Sequence, residues 1–111
     1  MKRLLFLAAL TLVAMLIFAS VAGAQKQATR TVVIQDFSFK PAHITLTRGT
    51  KVTWINKDST KHTATANNGA FDSGVLRPGQ SYSHTFKTAG RTNTYHCEIH
   101  PSMRGSVTVK R

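Results

Sequence analysis

Residues 95–103 of this 111-residue chain read YHCEIHPSM. The segment contains the single cysteine of the chain, Cys97, followed three residues later by His100 and three further on by Met103. A thiolate, an imidazole and a thioether therefore share one short loop, and soft transition-metal ions bind these groups well. The segment predicts a metal site that needs one more ligand and a fold to hold it.

The strand that leads into this loop determines which side chains face the protein interior. Side chains alternate between the two faces of a strand, so Tyr95 and Cys97 share one face and His96 takes the other. If Tyr95 packs in the core, Cys97 does so too, and His96 points to solvent. We therefore predict that His96 is not a ligand, whereas His100, beyond the strand end, is free to turn back towards the sulfur.

The chain on either side of the loop has the pattern of short strands separated by turns. Residues 31–34 are a β-branched run, and Phe37 and Phe39 continue it with alternation up to Pro41. Apolar and polar residues alternate in 43–47, 51–55, 80–86 and 105–110, and residues 60–66 are a further candidate extended stretch. No amphipathic helical stretch lies after residue 30. Some seven or eight short strands in about 80 residues predict an all-β protein, an antiparallel sandwich or barrel.

One histidine from outside the loop must complete a four-ligand site. His43 lies on the outward face of its strand, and His84 shares a face with two aromatic residues, as a partly buried structural histidine does. His62 follows a turn-rich segment, residues 56–61, and can sit at the same end of the sandwich as the loop. By elimination, His62 is the predicted second nitrogen ligand.

Two histidines and a cysteine with a weak axial methionine form the ligand set of blue-copper electron-transfer sites. His62, Cys97, His100 and Met103 match this set and predict one bound copper ion. Thiolate and thioether favour Cu(I) while the imidazoles retain Cu(II), so one geometry serves both oxidation states. All four positions are filled by protein, whereas catalytic metals keep an open position. We therefore expect an electron carrier and no catalytic residues.

The N-terminal segment has the layout of a secretory signal. A short basic start precedes an apolar run from Leu4 to Ala19, and small residues surround Ala24. We predict cleavage after Ala24 and a periplasmic or other extracytoplasmic location. An uncleaved anchor is the alternative, although the run is shorter than the ~20 residues of a spanning helix. The predicted division is a signal peptide at 1–24, a flexible leader at 25–30 and one domain at 31–111.

The chain is strongly basic, with a formal net charge of +11. Its lysines and arginines are scattered singly, and export argues against a nucleic-acid partner; a membrane is met only during export. Either a solvated basic surface or an acidic docking partner accounts for the charge. We predict a monomer that docks to redox proteins through their acidic surfaces.

These residues resemble the cupredoxins, and within them the amicyanin and plastocyanin-like subgroup. The resemblance covers nearly all of residues 31–111, through VTWIN at 52–56, His62, residues 71–79 and residues 95–109. Its most specific part is YHCxxHxxMRG at 95–105, whose short spacing between cysteine and methionine matches the amicyanin-type loop. The resemblance implies a Greek-key β-sandwich with one type 1 copper ion.

The resemblance also implies roles for individual residues. Copper is expected on His62, Cys97 and His100 with Met103 axial, the Thr63 backbone N–H is expected to donate to the cysteine sulfur, and Asn56 is expected to brace the loop. Two positions depart from the family pattern. Ile99 stands where relatives often have proline, and His84 stands where they usually have an aliphatic residue.

We expect electrons to pass through the exposed edge of His100, with Pro101 in the docking surface and His96 as a second route. Two alternatives remain open. A periplasmic copper carrier or storage protein uses the same ligands, although no methionine-rich or histidine-rich tract is present. An enzyme with a Cys97–His100 nucleophile pair would leave Met103 without a role.

Overall fold

The computed structural model describes residues 26–111, so the predicted signal peptide at 1–24 lies outside the described residues. Within residues 26–111 the chain forms eight strands and no helix, which confirms the predicted all-β sandwich. No helix in this part of the chain is long and apolar enough to cross a membrane. The strands are β1 (Thr29–Gln35), β2 (Ser38–Lys40), β3 (His43–Thr47), β4 (Thr50–Asn56), β5 (Thr65–Ala66), β6 (Ser81–Phe86), β7 (Arg91–His96) and β8 (Arg104–Lys110).

The strands form two four-stranded sheets, in the orders β2-β1-β4-β6 and β3-β8-β7-β5. Both sheets are mixed, because β1 pairs with β4 in parallel and β3 pairs with β8 in parallel. The expectation of a purely antiparallel sandwich is therefore wrong for these two pairs. Parallel neighbours need a crossover connection, and here the chain between β1 and β4 passes through β3 in the other sheet.

The core lies between the sheets and follows the predicted alternation. Burial alternates residue by residue along β4, and the inward side chains of both sheets are almost fully inaccessible. The Trp54 ring stacks on Phe71 at 5.2 Å between centroids and meets Tyr95 edge-on at 5.4 Å. Each such large apolar side chain contributes about 1.5–3 kcal/mol on burial. The most deeply buried aliphatic residues are Val32, Ile34, Val52, Val107 and Val109.

Two segments differ from their sequence patterns. β1 begins at Thr29 rather than at residue 31, because parallel pairing with β4 extends the strand into the predicted leader. Residues 60–66 form no continuous strand: only Thr65 and Ala66 belong to β5, and His62 makes an isolated bridge to Leu76.

The turn between β1 and β2 also departs from expectation. Alternation predicts that Phe37 continues the strand, but Asp36 and Phe37 both have φ of 54° and form the two-residue connection of the hairpin. Residues other than glycine rarely adopt positive φ, and each costs about 1 kcal/mol or more. Positive φ at both positions matches the strand twist of a two-residue hairpin, but such turns favour Asn, Asp or Gly, so Phe37 is the unusual residue here.

Gly105 on β8 allows the two strands that flank the ligand loop to pack closely. It pairs with Tyr95 on β7, and a Cβ at this position would overlap the Tyr95 ring and lie 2.9 Å from the Ala42 carbonyl oxygen. We expect Gly105→Ala to lower the free energy of unfolding by about 1–3 kcal/mol, because the core would have to open around the methyl group. Denaturant titration of the metal-free protein measures the loss.

Ser106→Ala is the matched control, because it puts alanine at the next position of β8 and removes only a partly exposed hydrogen bond to His43. We expect it to cost less than about 1 kcal/mol. Equal stability of Gly105→Ala and the parent would contradict the prediction.

Candidate metal centre

The structure brings His62, Cys97 and His100 together at one end of the sandwich. Cys97 Sγ lies 3.8 Å from His62 Nδ1 and 3.9 Å from His100 Nδ1, and the three donor atoms lie within 4.8 Å of one another. Bonds of about 2.0–2.3 Å meeting at roughly 120° around a metal ion separate sulfur and nitrogen by about 3.8 Å. The donor atoms therefore fit around one ion of the copper type.

Met103 is held beside these ligands by the backbone of its own loop. The Met103 N–H donates to the His100 carbonyl oxygen at 2.9 Å, and the Cys97 N–H donates to the Met103 carbonyl oxygen at 3.1 Å. The Met103 side chain is buried. These hydrogen bonds close a compact loop from the end of β7 to the start of β8, in which Cys97, His100 and Met103 are each three residues apart.

Thr63 connects the His62 segment to the Cys97 loop. Its backbone N–H donates to Cys97 Sγ at 3.3 Å, and its hydroxyl oxygen accepts a hydrogen bond from the Glu98 N–H at 2.8 Å. In metal sites with a cysteine ligand, hydrogen bonds to the sulfur tune the redox potential of the metal. Thr63 therefore both orders the loop and polarises the sulfur.

Asn56, at the end of β4, braces the turn that precedes His62. Its side chain is 0% exposed, so its polar atoms must be satisfied within the protein. The amide donates to the carbonyl oxygens of Thr60 and Leu76 at 2.8 and 2.9 Å, and the amide oxygen accepts from the Asp58 N–H at 2.9 Å. These bonds fix the approach of the chain to His62.

Asp58 is a site residue that the sequence reasoning missed. One oxygen of its carboxylate, Oδ2, lies 2.8 Å from His62 Nε2, the ring nitrogen that points away from Cys97. Burial acts to raise the pKa of Asp58, but hydrogen bonds from the Phe37 N–H, from His62 and from the Asp36 N–H outweigh it and lower the pKa below its usual value. The available signal was an acidic residue four positions before the predicted ligand His62.

Phe37 is the second residue that was missed. Its ring meets the His62 ring edge-on at 5.1 Å and the His100 ring edge-on at 5.0 Å, while the two imidazoles are 5.0 Å apart. The side chain is nevertheless 50% exposed. Phe37 thus covers both histidines from the solvent side, a position that no alternating pattern could reveal.

Two other histidines stay outside the cluster. The His96 side chain is 25% exposed, less than the predicted outward orientation implies, because its ring contacts Asn67 and Glu98. His43 is exposed and bonds to Ser106 at 2.8 Å. Neither ring is part of the donor cluster.

A family model for the cupredoxin-like domain matches residues 8–109 of the chain. The chain belongs to this family. Amicyanin of Paracoccus denitrificans is 39% identical over 67 residues, which cover 56% of this chain and 50% of that protein, so the match spans half of the relative's length. Plastocyanin of Scenedesmus fuscus is 34% identical over 85 residues, which cover 65% of this chain and 86% of that protein.

A solved Cu(I) structure of an amicyanin mutant matches this cupredoxin with a TM-score of 0.68 and 31% identity, covering 75% of this chain and 83% of that one. The protein is therefore a cupredoxin of the amicyanin and plastocyanin type. Its clustered cysteine sulfur and imidazoles, with a buried methionine on the same loop, are the donors expected for type 1 copper.

His84, which departs from the family pattern, lies on β6 away from the metal centre. Its half-buried ring lies against Phe71 and meets Phe86 edge-on, each at 4.9 Å between centroids. Burial, together with the positive charge of Lys87, lowers the pKa of His84 below its usual value. The fold therefore favours the neutral imidazole at this position.

His84 makes stability depend on pH in a defined direction. An unfolded histidine titrates near pH ~6.5, so below that pH the unfolded chain binds more protons than the folded one. The contribution to stability is complete above this pH and is lost as pH falls through the lower, folded pKa. We expect His84→Leu to flatten the dependence between pH 7.5 and 5, measured by denaturant titration of the metal-free protein.

His43→Gln is the control, because it removes an exposed histidine from the same fold. It should retain the parental slope of stability against pH. Parallel curves for the parent and His84→Leu would show that the prediction is wrong.

Proposed function

We propose that this cupredoxin binds one copper ion through His62, Cys97, His100 and Met103 and carries single electrons between redox proteins. The observation that supports this most is the closed cluster of one thiolate and two imidazole donors, with His62 and Cys97 fully buried. Copper in such a site supplies reversible one-electron chemistry between Cu(I) and Cu(II). Kinship with amicyanin and plastocyanin supports the same function.

The protein's contribution is to keep the ligand positions nearly unchanged between the two oxidation states. His62 is bonded from behind by Asp58, and Cys97 receives a hydrogen bond from Thr63 and is tied to Met103 through the backbone. These braces do not depend on a metal, so little rearrangement accompanies a change of charge. A small reorganisation favours fast electron exchange, and a site filled by four protein ligands would leave no open position for a substrate.

The proposed route for electrons is the edge of His100, the one imidazole of the cluster that is partly exposed. Apolar side chains lie next to it: Phe37, which contacts the His100 ring, is 50% exposed, and the sequence neighbours Ile99 and Pro101 are also exposed. Such a patch suits transient docking of a partner against the ligand. His96, bonded in sequence to Cys97, offers a second route.

We further propose that the protein is exported, acts as a monomer and docks to acidic surfaces of its partners. The N-terminal layout of residues 1–24 supports export, and the formal net charge of +11 supports electrostatic attraction to an acidic partner. Lys61 and Arg104, both exposed, adjoin His62 and Met103 in the sequence and add positive charge near the site.

Adding Cu(II) to the purified protein tests the copper site. We expect an intense blue thiolate-to-copper absorption that bleaches on reduction and returns on oxidation. Cys97→Ser should abolish the colour, because the thiolate is the origin of the absorption. A colourless or irreversibly reduced parent protein would contradict the proposal, and a blue protein with slow electron exchange would favour the copper carrier.

Replacing His100 tests the route. His100→Gly should slow electron exchange by about 10-fold or more, since loss of even an outer-shell partner costs about that much, and should make the site responsive to added imidazole. Stopped-flow exchange with a small redox protein measures the rate. His96→Gln tests the second route separately and should slow exchange less than His100→Gly does, because His100 is the proposed main route. Fast exchange by His100→Gly without imidazole would refute the route.

A further inference from the structure

The carboxylate of Asp58 contacts two separate parts of the molecule. Its Oδ2 lies 2.8 Å from His62 Nε2, and its two oxygens accept hydrogen bonds from the backbone N–H groups of Asp36 at 2.7 Å and Phe37 at 2.9 Å. Asp36 and Phe37 are the connection between β1 and β2, more than twenty residues earlier in the chain. One side chain thus joins the β1–β2 turn to a proposed metal ligand.

The contact with His62 defines which ring nitrogen carries the proton. An ionised carboxylate only accepts hydrogen bonds, so Nε2 must hold the hydrogen. In the neutral imidazole, Nδ1, which faces Cys97 Sγ at 3.8 Å, then presents its lone pair to the cluster. A carboxylate behind a ligand histidine also fixes the ring orientation and raises its basicity.

The contact with the turn explains a backbone conformation that is otherwise unfavourable. Asp36 and Phe37 both have φ of 54°, and the N–H groups of two successive residues converge on the Asp58 carboxylate. Successive backbone N–H groups that converge in this way form an anion-binding concavity. The negative charge of Asp58 therefore stabilises the turn that carries Phe37.

The β1–β2 turn places Phe37 over the site. Its ring lies edge-on to both His62 and His100, at 5.1 and 5.0 Å between centroids. We infer that Asp58 is a positioning residue that orients the His62 ring and seats the Phe37 ring over both imidazoles through one carboxylate. The geometry of the ligand and the cover of the site are thereby coupled.

Asp58→Asn is the central test, because the amide has nearly the same shape but only one accepting oxygen for three donors. Its backbone N–H, which bonds to Asn56, is unchanged. We expect copper affinity to fall 10–100-fold, as loss of a partner behind a ligand histidine typically causes. This readout rests on the proposed copper site, but two readouts in the metal-free protein do not.

Those two readouts come from nuclear magnetic resonance. In the metal-free parent at pH 8, the ring ¹⁵N shifts of His62 should report a proton held on Nε2, whereas Asp58→Asn should show a mixture of the two neutral tautomers. Contacts between Phe37 and the imidazole ring protons should weaken in the same variant. A purely structural role in the turn would leave the tautomer unchanged.

Asp36→Asn is the matched control. It removes one carboxylate from the same neighbourhood, but the Asp36 side chain is 79% exposed and bonds only to Lys40, and its backbone N–H still reaches Asp58. We expect parental copper affinity, tautomer and Phe37 contacts. A loss as large as that of Asp58→Asn would mean that net charge, not positioning, is responsible.

Phe37→Gly separates the two halves of the inference, since glycine adopts positive φ without strain and keeps its N–H. This variant should retain the His62 tautomer and lose the cover. If Asp58→Asn does not fold, the double variant Asp58→Asn/Phe37→Gly relieves the turn and still tests the tautomer. The inference would be overturned if a folded Asp58→Asn variant had the copper affinity and the His62 tautomer of the parent. A parent protein that binds no copper would overturn only the proposed function.

Discussion

The hydrogen bonds of Thr63 hold the metal centre together. His62 and Cys97 are 35 residues apart in sequence and reach the site from different segments. The Thr63 N–H donates to Cys97 Sγ and its hydroxyl accepts from the Glu98 N–H, while Thr65, two residues on, pairs with His96 of β7. The short strand β5 thus aligns the His62 segment with β7, and the separation of imidazole and sulfur follows from this alignment.

The site combines rigid burial with one exposed edge. His62 and Cys97 are fully inaccessible and are bonded by groups behind them, while His100 is partly exposed next to apolar side chains. Packing around the buried ligands limits their movement, because protein interiors have few voids and resist deformation. The partly exposed edge of His100 is therefore the one part of the donor cluster that reaches the surface. For the proposed electron carrier, small rearrangement and close approach would thereby be provided by different residues.

Much of the fold and of the donor cluster could be predicted because the relevant signals are local. Alternation along β7 correctly assigned Tyr95 and Cys97 to the core, and the structure buries both. The spacing of Cys97, His100 and Met103 indicated a compact loop, which backbone hydrogen bonds close. His62 emerged only by elimination, since nothing in its own segment distinguishes a ligand from a buried histidine.

Asp58 and Phe37 could not be predicted in the same way. Asp58 is a turn residue whose carboxylate meets Asp36 and Phe37 across a separation of more than twenty residues, and such a contact leaves no periodic trace. Phe37 was assigned to a strand because it alternates with Phe39, but the carboxylate of Asp58 stabilises a turn with positive φ there. Nonlocal electrostatics overrode a local preference.

The amino-acid sequence by itself determined the all-β class and the face on which each strand residue lies, because both follow from the two-residue period of a strand. It also identified the loop that carries the predicted ligands, because that depends on side-chain chemistry. Only the tertiary structure decided the parallel pairing of β1 with β4 and of β3 with β8, the distances within the cluster and the bridge from Asp58 to His62. These features depend on which distant segments meet in space, and a pattern within one segment carries no information about its distant partners.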